Sequence, residues 1–303
     1  MAGSSGTRAD WSRLLERCSF PAPGTAVDCA VSGGADSLAL LVLAAAAGLD
    51  VTAWHVDHGL RFGSDREADV VVEAAARQGT AVRTVSVAVE PGPNLEARAR
   101  AARQAVLPSG TLTGHTADDQ AETVLVALLR GAGLDGLAAM RPDSRHPILA
   151  LRRSDTVAVC EAEHLRVVVD PTNFETAFVR NRVRHELLPL ASQIAGRDIV
   201  PLLARTASVL RDEAETLNDL AQPIDPTDVA ALRAAPAGLA RRALRQWLAT
   251  ASGGYPPDAG ASQRVMEVVA GRRRACEVAG LGRVSRQGGR LYLRPGGSAR
   301  TAH

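Results

Sequence analysis

The sequence predicts an α/β protein. A parallel-sheet domain comes first, followed by a smaller, mostly helical C-terminal region. Three observations carry that expectation. Apolar β-type segments alternate with helical ones between Thr25 and Leu129. The run SGGADS (Ser32–Ser37) interrupts two hydrophobic segments where a strand would hand over to a helix. After GAGLDGLAAMRP the alternation loosens and helical spacing takes over.

Thr25–Ser32 (TAVDCAVS) reads as a buried strand and Asp36–Ala47 as a helix. Val51–His58 (VTAWHVDH) is the second strand. Arg66–Gln78 has helical spacing, with Val70, Val71, Ala74 and Ala75 on one apolar face. Val82–Val89 is a third strand, and Asn94 is placed to cap a helix ending at Val106. Thr111–His115 is a short fourth strand, and Ala117–Leu129 a helix. Such alternation implies a parallel sheet covered on both faces, with ligands at the carboxyl ends of its strands. Further on, Pro147–Arg152 and Asp155–Cys160 read as an edge strand and a connector. Phe174–Leu190 and Ile199–Leu220 are long helical stretches, and Gln222–Asp228 (QPIDPTD) reads as a linker. Helices near Leu239–Ala249 and Ala261–Val269 precede short strands with GLGR and RQGGR turns. This divides the chain into a leader and first helix (1–20), a main domain (21–191) and a basic C-terminal region (192–303).

With 303 residues, 46% of them hydrophobic, the chain can bury one large core or two smaller ones. It has no apolar run long enough for a transmembrane helix and no apolar signal-peptide segment near its N-terminus, so no membrane contact is expected. Cys18, Cys29, Cys160 and Cys276 never form CxxC, which argues against a zinc ribbon or disulfide framework and fits a reducing cytoplasm. All 35 cationic side chains are arginine. Without lysine, the P-loop ATPase motif and Schiff-base chemistry are excluded. The net charge of +2 is unevenly spread. Residues 1–179 hold 16 arginines and 22 acids, a balance of −6; residues 180–303 hold 19 and 11, a balance of +8. A basic part behind an acidic one suits an anionic macromolecule held by the second while chemistry proceeds in the first. Ordinary solvated surface would give the same count.

The SGGADS junction has its own chemistry. Helix N-termini present unpaired N–H groups and partial positive charge, and glycines let backbone approach an anion. Ser32 and Ser37 can add hydroxyls, so the loop makes a phosphate cradle without lysine. Asp36 would be repelled by phosphate unless a cation lies between them, which points to Mg²⁺. In HTADDQAE, His115, Asp118, Asp119 and Glu122 lie at a strand mouth and on the first turn of a helix. Asp118 and Glu122, four apart, share a face. Carboxylates facing phosphates need Mg²⁺ or an ammonium group, although acids also favour helix N-termini on their own.

Ser32–Ser37 resembles the SGGxDS loop of the PP-loop ATP pyrophosphatases, whose domain is adenine nucleotide α-hydrolase-like. Three further stretches narrow the resemblance: HVDHGLR (His55–Arg61), GHTADDQAETVLVALLRGAGLDGLAAM (Gly114–Met140) and DPTNFETAFVRNRVRHELLPLA (Asp170–Ala191). In this order they resemble the tRNA(Ile)-lysidine synthetase family, over Val27 to Leu190. The resemblance implies a cytoplasmic ligase using ATP and Mg²⁺, with free L-lysine and an isoleucine tRNA bearing a CAU anticodon as partners, and a homodimer as an option. Wobble cytidine O2 attacks the α-phosphate of ATP, releasing pyrophosphate; lysine then displaces AMP at C2 and leaves lysidine.

The same resemblance assigns roles. Ser32, Gly33, Gly34, Ala35, Asp36, Ser37 and His55 would bind ATP, with Asp36 also the metal ligand. Asp36, His115, Asp118, Asp119 and Glu122 would be catalytic, with Asp119 and Glu122 receiving lysine. His55 and His58 lack further His or Cys partners for a transition metal, so His55 is read as an ATP contact. Arg100 and Arg103, in NLEARARAAR, and Arg180, Arg182 and Arg184, in VRNRVRH, would contact tRNA or phosphate. On a helix Arg180 and Arg184 share a face and Arg182 points elsewhere. GRRRA (Gly271–Ala275) is a weaker basic run. Two alternatives remain: a tRNA thiolase, which would need catalytic or cluster-binding cysteines, and a nucleotide-binding regulatory module without turnover.

Overall fold

The computed structural model describes residues 10–57, 65–88, 95–143, 145–169, 178–253 and 258–295. They fall into two compact units, one ending at Leu210 and the other starting at Arg211.

In the first unit, α1 (Ser12–Leu15) leads to β1 (Ala26–Ala30), α2 (Ala35–Ala46), β2 (Asp50–Asp57), α3 (Asp65–Gln78), β3 (Ala81–Ser86) and α4 (Leu95–Val106). The strands pair in parallel in the order β1-β2-β3. α2 is apolar almost all round because it is covered on both sides: Leu38, Leu40, Leu41 and Leu43 are fully buried. On α3, Val70, Val71, Ala74 and Ala75 are buried together, as their spacing requires. The expected cap at Asn94 lies outside the described residues.

The fourth strand is shorter than its sequence suggests. Leu112 makes one parallel bridge to Cys29, with Leu112 N–H donating to Asp28 O (2.7 Å) and Ala30 N–H to Leu112 O (2.9 Å). Thr113 N–H then turns to Arg145 O (2.8 Å), ending the pairing. That bridge still puts the segment beside β1, on the side away from β2. Gly114 makes the close approach possible, because an added Cβ would sit 2.6 Å from Asp36 O. Gly114→Ala is therefore expected to destabilise the chain by about 1–3 kcal/mol. Urea unfolding checks this, and an unchanged midpoint would contradict the contact.

α5 (Ala117–Leu129) and α6 (Leu134–Leu137) follow. The expected edge strand and connector are not formed. Pro147–Leu151 is turn, and α7 (Arg153–Ala162) is a helix. The β-like composition yields to packing: Thr156, Val159 and Cys160, at helical spacing, are buried, and Cys160 Sγ donates to Ala35 O of α2. The helix expected over Phe174–Leu190 is described from Val179 onward. It runs as α8 (Val179–Arg182), a π-helical turn (Val183–Leu187) and α9 (Leu188–Ala195). Pro189 cannot donate to the ladder and its ring crowds the preceding turn, so the helix widens just before it.

The unit boundary falls within α10 (Val200–Ala221). The second unit continues with α11 (Val229–Ala234), α12 (Ala237–Ala251), α13 (Ala259–Ala270) and an antiparallel sheet of β4 (Ala275–Val278), β5 (Gly282–Gln287) and β6 (Arg290–Pro295). Leu232, Leu244, Leu248, Val265, Val268 and Val284 form its core. The Gln222–Asp228 stretch is turn that ends in a cap, Asp228 accepting from Ala230 N–H at 2.8 Å. Among the described residues, no single helix is long and apolar enough to cross a membrane.

Candidate active site

The phosphate loop sits where β1 hands over to α2, with Gly34 in extended conformation as the N-cap. Gly33 has φ +85°, and Val168 Cγ2 lies 2.9 Å from where a Cβ would be. Val168 N–H donates to Gly33 O (2.9 Å), so the backbone after α7 braces the loop. Ser37, on the first turn, locks it from inside. Its hydroxyl donates to Gly34 O (2.9 Å) and accepts from Ser32 N–H (3.1 Å). Ser37 thus shapes the cradle, while Ser32 and Ala35 flank it. His55 is 2% exposed and its Nδ1 lies 3.0 Å from Val31 O, so it supports the loop from the next strand.

α5 starts beside this loop. Thr116 and Asp119 form a capping box: Asp119 Oδ2 accepts from Thr116 N–H (2.9 Å) and Thr116 Oγ1 (3.0 Å). Asp36, Asp119 and Glu122 converge around Arg153. Its Nε lies 3.4 Å from Asp36 Oδ2, its Nη2 3.2 Å from Asp119 Oδ1 and its Nη1 3.3 Å from Glu122 Oε1. Arg180 Nε donates to Glu122 Oε2 (2.8 Å) and Arg184 Nε to Glu122 Oε1 (2.6 Å). Arg180 Nη2 also reaches Asp119 Oδ1 (3.2 Å). Glu122, with an accessibility of 0%, has all three guanidiniums as partners.

Asp118 faces elsewhere. It takes the Arg152 fork through Nε (2.9 Å) and Nη2 (3.1 Å), and accepts from Arg153 N–H (2.9 Å). Arg152 also pairs with Asp198. Asp118 therefore pins the start of α7, which aims Arg153 into the cluster. Thr156, one turn on, donates to Asp36 Oδ1. The sequence reading missed Arg152, Arg153 and Thr156. The signal that could have found them is the capping box of α7, in which Asp155 accepts from Arg152 N–H (2.8 Å).

Electrostatics differ within the cluster. Burial pushes the Asp36 carboxyl above its ordinary range, outweighing the Thr156 and Arg153 contacts. Asp119 is also penalised by burial, but Arg153 and Arg180 hold it below the ordinary range. Burial likewise acts against Asp118, and the bond from Arg152 overcomes it.

The other candidates lie as follows. His115 Nδ1 is 2.8 Å from Thr113 Oγ1, and its ring tilts against His146 with centroids 5.1 Å apart. Arg180 and Arg184 join the cluster, whereas Arg182 turns outward to Glu186 (3.0 Å). Arg103 lies in the last turn of α4. The side chain of Arg100 lies outside the described residues, as do His58, Arg61 and 170–177.

Residues 9–191 match the family model described as a PP-loop domain, and residues 228–292 that described as a TilS substrate binding domain. The tRNA(Ile)-lysidine synthase of Nocardia farcinica is 42% identical over 264 residues, covering 81% of this chain and 81% of its own. The chain belongs to the tRNA(Ile)-lysidine synthase family. The Streptomyces coelicolor tRNA(Ile)-lysidine synthase is 38% identical over 318 residues, 93% of this chain and 90% of its own. The U34-tRNA thiolase NcsA from Methanococcus maripaludis superposes with a TM-score of 0.50 at 15% identity, over 67% of this chain and 77% of that one. At that identity the likeness is one of fold. As a tRNA(Ile)-lysidine synthase family member the protein is an enzyme, a ligase of tRNA modification on an ATP-binding PP-loop fold. The family and fold expected from the sequence are thereby met.

Proposed function

We propose that this chain joins free L-lysine to C2 of the wobble cytidine of a CAU-anticodon isoleucine tRNA. Cytidine O2 attacks the ATP α-phosphate; an O–P bond forms and pyrophosphate leaves. The ε-amine of lysine then attacks C2, the C–O bond to phosphate breaks, AMP departs, and the amine loses a proton. The observation that carries this reading is the convergence of the phosphate loop's Asp36 with Asp119 and Glu122 on one guanidinium, that of Arg153. It supports the reading by bringing the loop proposed for phosphate beside the carboxylates proposed for the amine. The thiolase alternative is disfavoured because no two cysteines form a CxxC pair and Cys29 and Cys160 are buried, which pushes their thiols up to about 12.

In this reading the loop backbone from Ser32 to Ser37 takes the phosphates, with His55 holding it in shape. Asp119 and Glu122 take the lysine ammonium groups, and His115 and Asp118 flank and position them. Mg²⁺ fits at Asp36, a carboxylate whose charge burial disfavours and a cation would restore. Mg²⁺ commonly takes one or two carboxylates plus substrate phosphates, and when bound it would neutralise charge on the polyphosphate. Residues 21–191 are assigned to catalysis. The basic region 192–303, with Arg100, Arg103 and Arg182 as further contacts, is assigned to tRNA in the cytoplasm. Incubation with ATP, labelled lysine and total tRNA, followed by nucleoside mass analysis, tests the reaction. A lysine-bearing cytidine is expected, and its absence overturns the proposal.

The +8 balance of residues 180–303 makes a second expectation. tRNA affinity should fall steeply with salt, the logarithm of the association constant losing about 0.7–0.9 per phosphate contact for each tenfold rise in salt concentration. A flat series in a filter-binding assay would mean that the basic region is no electrostatic platform.

A further inference from the structure

Asp36, Asp119 and Glu122 bring three carboxyl groups, and Arg153, Arg180 and Arg184 match them with three guanidiniums. The acids are thus already paired with the protein's own cations. An ammonium group arriving here meets no net attraction and must compete with guanidiniums at 2.6–3.5 Å.

The three arginines are not held alike. Arg153 begins α7, with its own N–H bonded to Asp118. Arg180 and Arg184 come from a separate stretch, α8 and the π-helical turn, and reach the cluster by side chain. Three guanidiniums crowd one buried carboxylate, and Arg153 acts repulsively on Arg180. A polyphosphate carries several negative charges and offers oxygens matched to arginine forks. The cluster borders the phosphate loop, because Arg153 touches Asp36 on the first turn of α2.

We propose that Arg180 and Arg184 form a charge-exchange latch. Without nucleotide they mask Glu122 and Asp119. With nucleotide they turn to the polyphosphate and unmask those carboxylates for the ammonium groups of the amine substrate. The latch enforces an order in which nucleotide enters first. This inference rests on the lysine pocket proposed above and goes beyond it, since a plain acidic pocket would bind the amine in either state.

The test is calorimetric titration of L-lysine into the full chain, with and without α,β-methylene ATP and Mg²⁺, which blocks the cleaved bond. In the wild type the nucleotide should tighten lysine by about 10-fold or more, and lysine should tighten the nucleotide by the same factor. In Arg180→Gln/Arg184→Gln, lysine should bind without nucleotide about 10-fold more tightly than in the wild type, and the coupling should shrink toward one. A merely structural role for these arginines predicts the opposite, a loss of lysine binding. Arg13→Gln, on α1, removes an exposed arginine outside the cluster, and should change neither value.

If the double variant does not fold, wild-type coupling and Arg180→Gln decide. Equal lysine affinity with and without nucleotide in the wild type overturns the latch, as does unimproved nucleotide-free binding in the folded variants. Absence of lysine binding in every state overturns the lysine pocket itself, and the latch with it.

Discussion

Asp36→Ala should abolish lysidine formation and leave the chain folded. The carboxylate lies inside the phosphate loop, largely buried, with Thr156 and Arg153 as partners. Burial disfavours its charge, so removing it leaves little stabilisation to lose. Its proposed task is to share a divalent cation with the phosphates, which the arginine-paired Asp119 and Glu122 are less free to do. A loss of at least about 100-fold in turnover is the scale for a missing electrostatic contact of this kind. tRNA-dependent pyrophosphate release measures it, and circular dichroism checks the fold. Unchanged turnover with unchanged Mg²⁺ dependence would remove Asp36 from the chemistry.

Glu122→Gln should be the more damaging change to the molecule as a whole. The substitution keeps the shape but leaves Arg153, Arg180 and Arg184 around a neutral amide in a fully buried position. Breaking such a pair costs about 3–5 kcal/mol, a large part of a domain's stability. In protein that remains folded, lysine use should suffer more than ATP use. Loss of a hydrogen-bonded charge partner costs roughly 2–5 kcal/mol, or about 30- to 5,000-fold. Asp119→Asn should show the same bias. Single-turnover kinetics separates the steps: pyrophosphate release without lysine, then lysine-dependent AMP release. If both variants lose the first step as badly as the second, these acids serve the nucleotide, and the lysine pocket lies elsewhere.

The phosphate loop was legible because its signal is local. Strand, glycines and helix start fall within a few residues, and the Ser37 lock closes over five. The shared face of Arg180 and Arg184 was legible for the same reason, through helical spacing. Their partners were not. Arg153 reaches Glu122 across 31 residues and Arg184 reaches it across 62, and no periodicity encodes such contacts. Reading Pro147–Cys160 as a strand and connector hid Arg153 altogether. Its β-branched residues match a sheet edge, and only the burial of Thr156, Val159 and Cys160 against α2 decides for a helix. The acids were accordingly read as an open negative pocket, when the fold closes them with arginine.

Asp119 divides its two oxygens. One caps α5 through Thr116, and the other receives Arg153 and Arg180. In evolutionary terms the position is pleiotropic. Asparagine preserves an acceptor for the cap but drops the charge. Glutamate preserves the charge and suits the cap, but its extra methylene moves the oxygen that receives Arg153 and Arg180. Either replacement therefore spares one task of Asp119 and disturbs the other.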